Sequence, residues 1–342
     1  MQDIKDFTLT ELEHYFVSVG EKAFRAREIF NAVYKEKLSS FSEISTLPKA
    51  LRAHLQNEFY IYAFEATDTI NSDDGTTKYL FKLQDASLIE TVLIREKNKF
   101  GNKRNTICLS SQVGCSLGCK FCATGKMGLL RNLAAGEILE EFLLVDNVNP
   151  INNIVFMGMG EPLLNYDNLK KSINIITDKY GRAFGKRKIT ISTSGVVEKI
   201  YQLSDELGQV NLAISLHSAN QAKRNEIMPG LKENTLIKLE SAINYYFSKT
   251  KNTVTLEYLL IKDFNDSIAD AKELVRFVSK LKSSKVNLIH YNKVPFANFE
   301  PSPREIEFQS FLLSKNIRAT LRKSKGTEIS AACGQLATRK KN

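Results

Sequence analysis

No stretch of this 342-residue sequence is apolar for long enough to span a bilayer, and no signal-peptide pattern opens at Met1. No membrane partner is therefore expected. There is no internal repeat and no low-complexity segment, so neither a repeat architecture nor a biased, unstructured tract is expected. Cysteine is scarce, five residues in all, and the number is odd. Nothing suggests secretion, so a reducing cytoplasm is the expected compartment.

What is present is ample material for a core: 43% of residues are hydrophobic and 25% are charged, as in a globular chain of this length with two domains. Lys and Arg exceed Asp and Glu by 48 to 38, a net charge of +10. Such an excess suits a polyanion partner, although a basic surface also serves solubility alone.

Three of the five cysteines crowd into Cys115-Ser-Leu-Gly-Cys119-Lys-Phe-Cys122. Thiols separated by three and then two residues need a loop that folds back on itself, and Gly114 and Gly118 allow it. Phe121 places an apolar ring beside the third thiol, where it can shield a metal centre. A closed zinc site needs four ligands, and no His or fourth Cys follows at zinc-ribbon spacing, so zinc is the weaker reading. An iron–sulfur cluster on three thiolates leaves one iron free for a small molecule. Cys-x-x-x-Cys-x-x-Cys resembles the signature of the radical S-adenosylmethionine (SAM) enzymes. That resemblance implies a [4Fe-4S] cluster on Cys115, Cys119 and Cys122, with SAM chelating the fourth iron.

Residues 1–60 read as a helical domain, with Thr10 as a candidate cap and Leu12, Tyr15, Phe16, Val19, Phe24, Ile29, Phe30 and Val33 in amphipathic spacing. Its cations are a solvated face or a grip on RNA. Residues 61–104 form a strand-rich extension, with strands at 78–83 and 88–94 and the next, 106–109, at the start of the catalytic domain. The polar, mostly basic 95–105 stretch is either an ordinary hairpin connection or a basic finger. From 105 to 337 helix and strand alternate, with strands expected at 153–157, 188–192, 210–216, 253–261, 286–290 and 317–321. That rhythm predicts a parallel sheet wrapped by helices. About six units are too few for a closed eight-fold barrel. The expected fold is α/β, a partial (β/α)6 barrel of radical SAM type with a small N-terminal helical accessory domain and a basic tail at 338–342.

Ligands in such folds sit at the carboxyl ends of strands. There the sequence has Gly158-Met-Gly160-Glu161-Pro162, Ser192-Thr-Ser194-Gly195, Ser215-Leu216-His217-Ser218 and Tyr291-Asn292. Glu161 can face an ammonium group. Each signal is weak alone, and a lone histidine such as His217 is more often structural than ligating. Four polar strand ends downstream of the cysteine loop point to a shared SAM pocket. Cys333, followed by Gly334, is the only cysteine of the C-terminal half. A lone cysteine is usually a small buried hydrophobe, but with Cys108 just upstream of the cluster loop it suggests a reactive pair.

Taken together, Cys108-Leu-Ser-Ser-Gln-Val-Gly-Cys115, Phe156-Met-Gly-Met-Gly-Glu-Pro-Leu-Leu-Asn165, Ser192-Thr-Ser-Gly195, Ser215-Leu-His217 and Ala331-Ala-Cys-Gly-Gln-Leu336 closely resemble the RlmN-type RNA adenine-C2 methyltransferases, over essentially the whole chain. In the C8-methylating Cfr-type relatives, Ala usually replaces Pro162 and Ile replaces Ser194. The resemblance implies Gly160, Glu161, Ser192, Ser215, Leu216, His217 and Asn292 as SAM contacts. It implies that one SAM methylates Cys333 and that a second yields the radical that joins the methyl carbon to adenine. Cys108 then releases the product by forming a disulfide with Cys333. Glu90, or Cys108, takes the ring proton; a strand carboxylate such as Glu90 otherwise sits more often in a salt bridge. The implied substrates are an adenosine of 23S rRNA and the one beside the tRNA anticodon, presented flipped or unpaired. A reductant such as flavodoxin or ferredoxin and a monomeric state complete the expectation. Ser330 departs from the family, where Asp is common.

Overall fold

The computed structural model of the protein describes residues 1–97 and 101–337. The basic tail expected at 338–342, and residues 98–100 of the basic stretch, lie outside the described residues. The chain begins with β1 (Gln2–Asp3), α1 (Leu9–Ser18), α2 (Arg25–Phe30), α3 (Lys49–Glu58) and β2 (Phe59–Tyr60), which pairs in parallel with β1. Thr8, rather than Thr10, caps α1: its hydroxyl accepts from the Glu11 N–H while the Glu11 carboxylate accepts from the Thr8 N–H. The earlier start completes this reciprocal box and places Phe7 and Leu12 at staple spacing.

Next come β3 (Glu65–Asn71), β4 (Thr76–Lys82), β5 (Leu88–Lys97) and β6 (Lys103–Cys108), an antiparallel meander. Most of the basic 95–105 stretch is therefore ladder. Arg95 faces Asn105 and Glu96 faces Arg104, an opposite-charge pair that favours continuing the strands. Arg95 is also engaged inward, donating to Thr77 and Asn149.

The remainder is β7 (Gln112–Gly114), α4 (Ala123–Met127), β8 (Leu129–Asn132), α5 (Ala135–Val148), β9 (Asn153–Phe156), α6 (Tyr166–Thr177), β10 (Ile189–Thr193), α7 (Val197–Glu206), β11 (Asn211–Ser215), α8 (Gln221–Ile227), α9 (Leu236–Thr250), β12 (Val254–Leu260), α10 (Ile268–Val278), β13 (Ser284–His290), α11 (Glu305–Ser314) and β14 (Ala319–Arg322). One ten-stranded sheet runs β14-β13-β12-β11-β10-β9-β6-β5-β4-β3. Its strands from β6 through β14 are parallel. β6, which pairs in parallel with β9, thus adds a seventh parallel strand to the six expected, and the order does not close on itself. This is an open barrel.

Period-two alternation divides each parallel strand between two fates. Ile154, Phe156, Ile189, Ile191, Leu212, Ile214, Leu256, Tyr258, Val286 and Leu288 are all buried in the core. Against that side pack helices such as α5, which buries Ile138, Leu139, Phe142 and Leu143, each stabilising by roughly 1.5–3 kcal/mol. The alternate residues line the concave side.

The N-terminal helices share the same core. Their junction with α5 is polar and buried. Lys5, fully buried, pairs with Asp3 at 2.8 Å and Glu140 at 3.1 Å and donates to the Ile61 carbonyl. Asp6 accepts from the Gly136 N–H at 2.7 Å in the first turn of α5, where the helix dipole favours an anion.

Candidate active site

The cysteine loop leaves β7 through Gly114, whose φ of +80° suits glycine and where a Cβ would overlap the Gly128 carbonyl oxygen. The Cys115 N–H donates to that carbonyl at 2.9 Å. Gly118, with φ +61°, completes the reversal, and α4 starts directly after Cys122. From behind, α8 and its following turn grip the loop: Lys120 N–H donates to the Ile227 carbonyl and Gly230 N–H to the Leu117 carbonyl.

The donor chemistry fits a polynuclear iron–sulfur cluster. Burial pushes the Cys115 thiol up to about 12 and those of Cys119 and Cys122 upward; neighbouring thiols of the set raise Cys115 and Cys119 further, and Cys333 raises Cys122. Three thiolates forced together out of water need a cationic core to exist at all. Among the described residues, no three His, Cys, Asp or Glu side chains converge to hold a single metal ion. A cluster would spread its thiolates over several irons, whereas tetrahedral zinc would draw them together.

A cavity above the loop is lined by all three cysteines together with Phe121, Gly160, Glu161, Ser192, Ser194, Ser215, His217 and Cys333. It lies at the carboxyl ends of β9, β10 and β11, where a parallel sheet places ligands. Gly160 has φ +99°, and a Cβ there would stand 2.6 Å from the Gln112 side chain. Glu161 is 2% exposed. Its oxygens accept from the Leu163 N–H at 3.1 Å and the Ser194 N–H at 2.7 Å. Burial raises its pKa; the two N–H donors orient the carboxylate, and among the described residues no cation pairs with it. An amino-acid ammonium group would supply one. His217 adopts φ +55°, an uncommon conformation held by the surrounding bonds. Its Nδ1 accepts from the Leu259 N–H at 3.1 Å, so the ring's remaining N–H is on Nε2. Burial lowers its pKa to about 3. The ring stands edge-on to Phe121, 4.8 Å between centroids. His217 is thus a neutral cavity residue.

Two expected SAM contacts sit elsewhere. Leu216 is fully buried in the core because alternation turns it away from Ser215 and His217. Asn292 does not line this cavity; its amide donates to the Cys333 carbonyl at 3.3 Å, and its Oδ1 is buried without a partner.

Cys333 lies where this cavity meets a second one inside the barrel lumen. The lumen is lined by the alternate residues of the same strands, among them Thr106, Cys108, Asn153, Thr190, Thr255 and Asn287, with Arg104, Lys285, Arg322, Lys323 and Lys325. Cys108 and Cys333 are both free thiols facing this space. Burial raises Cys108 far above the ordinary thiol range, and Cys333 raises it further. The Cys333 loop is tied down from three sides. Ala123 N–H donates to the Gly334 carbonyl at 2.7 Å and the Thr124 hydroxyl to the Leu336 carbonyl at 2.7 Å. Ser330, in the left-handed region at φ +52°, offers its carbonyl to Lys78 at 3.4 Å.

Glu90 belongs to that strap. Its carboxylate pairs with Lys78 at 3.0 Å and accepts from the Ala337 N–H at 2.9 Å. It is 2% exposed and lines neither cavity. The Lys78–Glu90 pair thus holds both ends of the loop carrying Cys333.

Three further residues at the site carried no recognised pattern in the sequence. Glu257 lines both cavities with one buried oxygen unpartnered, the other accepting from Asn287 at 3.1 Å. A lone charge inside an apolar strand was its available signal. Arg322, ending β14, also lines both cavities, and its charge is favoured first by Cys333. Arg224, on α8, is fully buried, with its charge favoured by Cys119, and nothing in a short polar helix marks it.

An open parallel barrel with three buried thiols at its carboxyl end, and an oriented carboxylate waiting for a cation, defines an enzyme of the radical SAM class. The model of the radical SAM superfamily matches residues 109–278, and that of the ribosomal RNA large subunit methyltransferase N-terminal domain matches residues 2–61. The chain is 42% identical to "Dual-specificity RNA methyltransferase RlmN" of Geotalea uraniireducens, covering 98% of this chain and 97% of the relative. It is 43% identical to "Probable dual-specificity RNA methyltransferase RlmN" of Dictyoglomus turgidum, with the same coverage. The crystal structure of a radical SAM methyltransferase from Sphaerobacter thermophilus superposes with a TM-score of 0.93 at 39% identity, covering 99% of this chain and 100% of that one. The chain belongs to the RlmN family of radical SAM RNA methyltransferases.

Proposed function

We propose that this protein methylates C2 of a specific adenosine in 23S rRNA and of the adenosine 3′ of the anticodon in tRNAs, with Cys333 as the carrier of the methyl carbon. The observation that carries this reading is the position of Cys333, facing the three-cysteine cavity on one side and Cys108 on the other. When bound on Cys115, Cys119 and Cys122, a [4Fe-4S] cluster together with SAM, two per turnover, supplies the methyl group and the one-electron chemistry that an unactivated aromatic carbon requires.

The chain's own residues do the rest. Glu161 and the polar strand ends of Gly160, Ser192, Ser215 and His217 orient the SAM amino-acid and nucleoside parts. Phe121 and the neutral His217 ring keep water from the thiolates. Asn292 and the Lys78–Glu90 strap hold the Cys333 loop between the two cavities. Once the methyl carbon has joined adenine, the Cys108 thiolate attacks the Cys333 sulfur. An S–S bond forms, the S–C bond breaks, and the carbon departs on the adenine with the bonding pair and takes up a proton. Glu90 accepts the proton lost from C2 when the strap opens, or Cys108 does so in its place. A protein electron donor such as flavodoxin or ferredoxin restores the pair, and the enzyme works as a cytoplasmic monomer.

The test is mass spectrometry of nucleosides from 23S rRNA and tRNA after incubation with the anaerobically reconstituted protein, SAM and a reductant. The expected product is 2-methyladenosine in both. Only 8-methyladenosine would reassign the attacked carbon, and no methylated base from protein with an intact cluster would overturn the reading.

A further inference from the structure

Among the described residues Arg224 is the largest fully buried side chain, and it is charged. Its Nη2 donates to the Ser194 carbonyl at 2.5 Å. Its Nε and Nη1 are buried without any partner, and no carboxylate forms an ion pair with it among the described residues. A guanidinium left this way is costly unless an anion completes it. The helix that bears it, α8, is fastened to the cysteine loop by the Lys120–Ile227 and Leu117–Gly230 backbone bonds, so the guanidinium moves with that loop. The one anionic partner favouring its charge is the Cys119 thiol, whose own charge it favours in return. Arg224 is not among the residues lining the cofactor cavity. Its hydrogen bond to Ser194 and its effect on His217 place it against the back of the cavity wall, on the helix that grips the cysteine loop.

We propose that Arg224 is the counter-cation of the cluster thiolates, a positioning residue that acts through Cys119 and sets the potential at which the cluster takes up its electron. The inference rests on the reading of Cys115, Cys119 and Cys122 as cluster ligands. Three thiolates on an oxidised [4Fe-4S] core leave a net negative charge, and one-electron reduction adds another without moving a proton. Inside a low-dielectric wall, a fixed guanidinium favours the more negative, reduced state. Lysine at this position would keep the charge, and glutamine would keep much of the volume and one hydrogen bond without it.

The test is an EPR-monitored redox titration with dithionite of the full chain, reconstituted anaerobically, as wild type, Arg224→Gln and Arg224→Lys. Iron and sulfide content and SAM affinity by equilibrium dialysis are measured on the same samples. The expected result is a lower midpoint potential in Arg224→Gln, at least a tenfold loss in the reduction equilibrium or about 59 mV for one electron, with most of it restored in Arg224→Lys. Failure of Arg224→Gln alone to retain iron supports the same role. Equal potentials in all three proteins overturn the inference, as do equal shifts or equal iron loss in both variants, which would assign Arg224 to packing. A tenfold loss of SAM affinity at unchanged potential also overturns it. Absence of any cluster signal in the wild type would instead overturn the ligand assignment beneath it.

Discussion

The two cavities that meet at Cys333 are built from the same strands and differ in kind. At the carboxyl ends, Ser192, Ser194, Ser215, His217, Leu259 and Tyr291 surround thiols and a single oriented carboxylate, with a neutral histidine and an aromatic ring between them. Two to four residues earlier on these strands, Thr190, Ala213, Thr255, Glu257 and Asn287 face a lumen ringed with cations. One concave face therefore passes from a thiol-rich end to a positively charged interior within a few residues. The two spaces are kept apart by about one strand residue pair, and of the five cysteines only Cys333 lines both.

The sharpest way to break this comparison is to remove one sulfur from each side. Cys122→Ala should lose cluster iron and all methyl transfer, and Cys333→Ala should lose methyl transfer with iron content intact, both read by iron assay and nucleoside mass spectrometry. Cys108→Ala lies on the lumen side alone. It should allow the carbon–carbon bond to form but not release, leaving RNA attached to Cys333 through denaturing electrophoresis.

The strap sharpens it further. Glu90→Gln should slow single-turnover methylation by about 10²–10⁴-fold if the carboxylate is the base. Lys78→Met removes only the strap's cation and leaves Glu90 uncompensated, a local cost of about 3–5 kcal/mol. It should expose residues 330–337 to protease and reduce the rate less than Glu90→Gln does. Equal losses in the two variants would reduce Glu90 to a strap.

A smaller effect concerns the wall behind both cavities. Glu141 on α5 accepts from the Thr91 hydroxyl at 2.5 Å and the Ser110 N–H at 3.0 Å. Burial raises its pKa from 4.5 to about 8. The folded chain thus keeps a proton that the unfolded chain releases above its lower value, so this group's contribution to stability is full below that value and is lost as pH rises to about 8. Glu141→Gln keeps both acceptor contacts and removes the ionisation. Urea denaturation should show a flatter pH profile and a gain of about 1–4 kcal/mol at pH 8.

Much of this was legible in order along the chain. The Cys115, Cys119 and Cys122 spacing, the rhythm of strands and helices, and the polar strand ends at Glu161, Ser192, Ser215 and His217 all follow from local pattern, and the structure gathers them at one cavity. Other features were not. The 95–105 stretch reads as a loop because its residues are polar, yet cross-strand pairing carries β5 and β6 through most of it. Leu216 sits inside a matching motif, but strand alternation sends it to the core. Arg224, Glu257 and Arg322 come from three separate elements, and their significance exists only where those elements converge.

The sequence by itself determined the class of chemistry, because three thiols at fixed spacing and a recurring strand–helix period are local properties that need no partner to be recognised. Tertiary structure alone decided which groups share a space: that Cys333, some 225 residues from Cys108, faces the same lumen, that Glu90 clasps the loop it was expected to serve, and that an arginine with two unpartnered N–H groups is buried on the helix that grips the cysteine loop. Distance in sequence does not report these meetings, since the energy of a buried charge or a thiol pair depends on what the fold brings within a few ångströms of it.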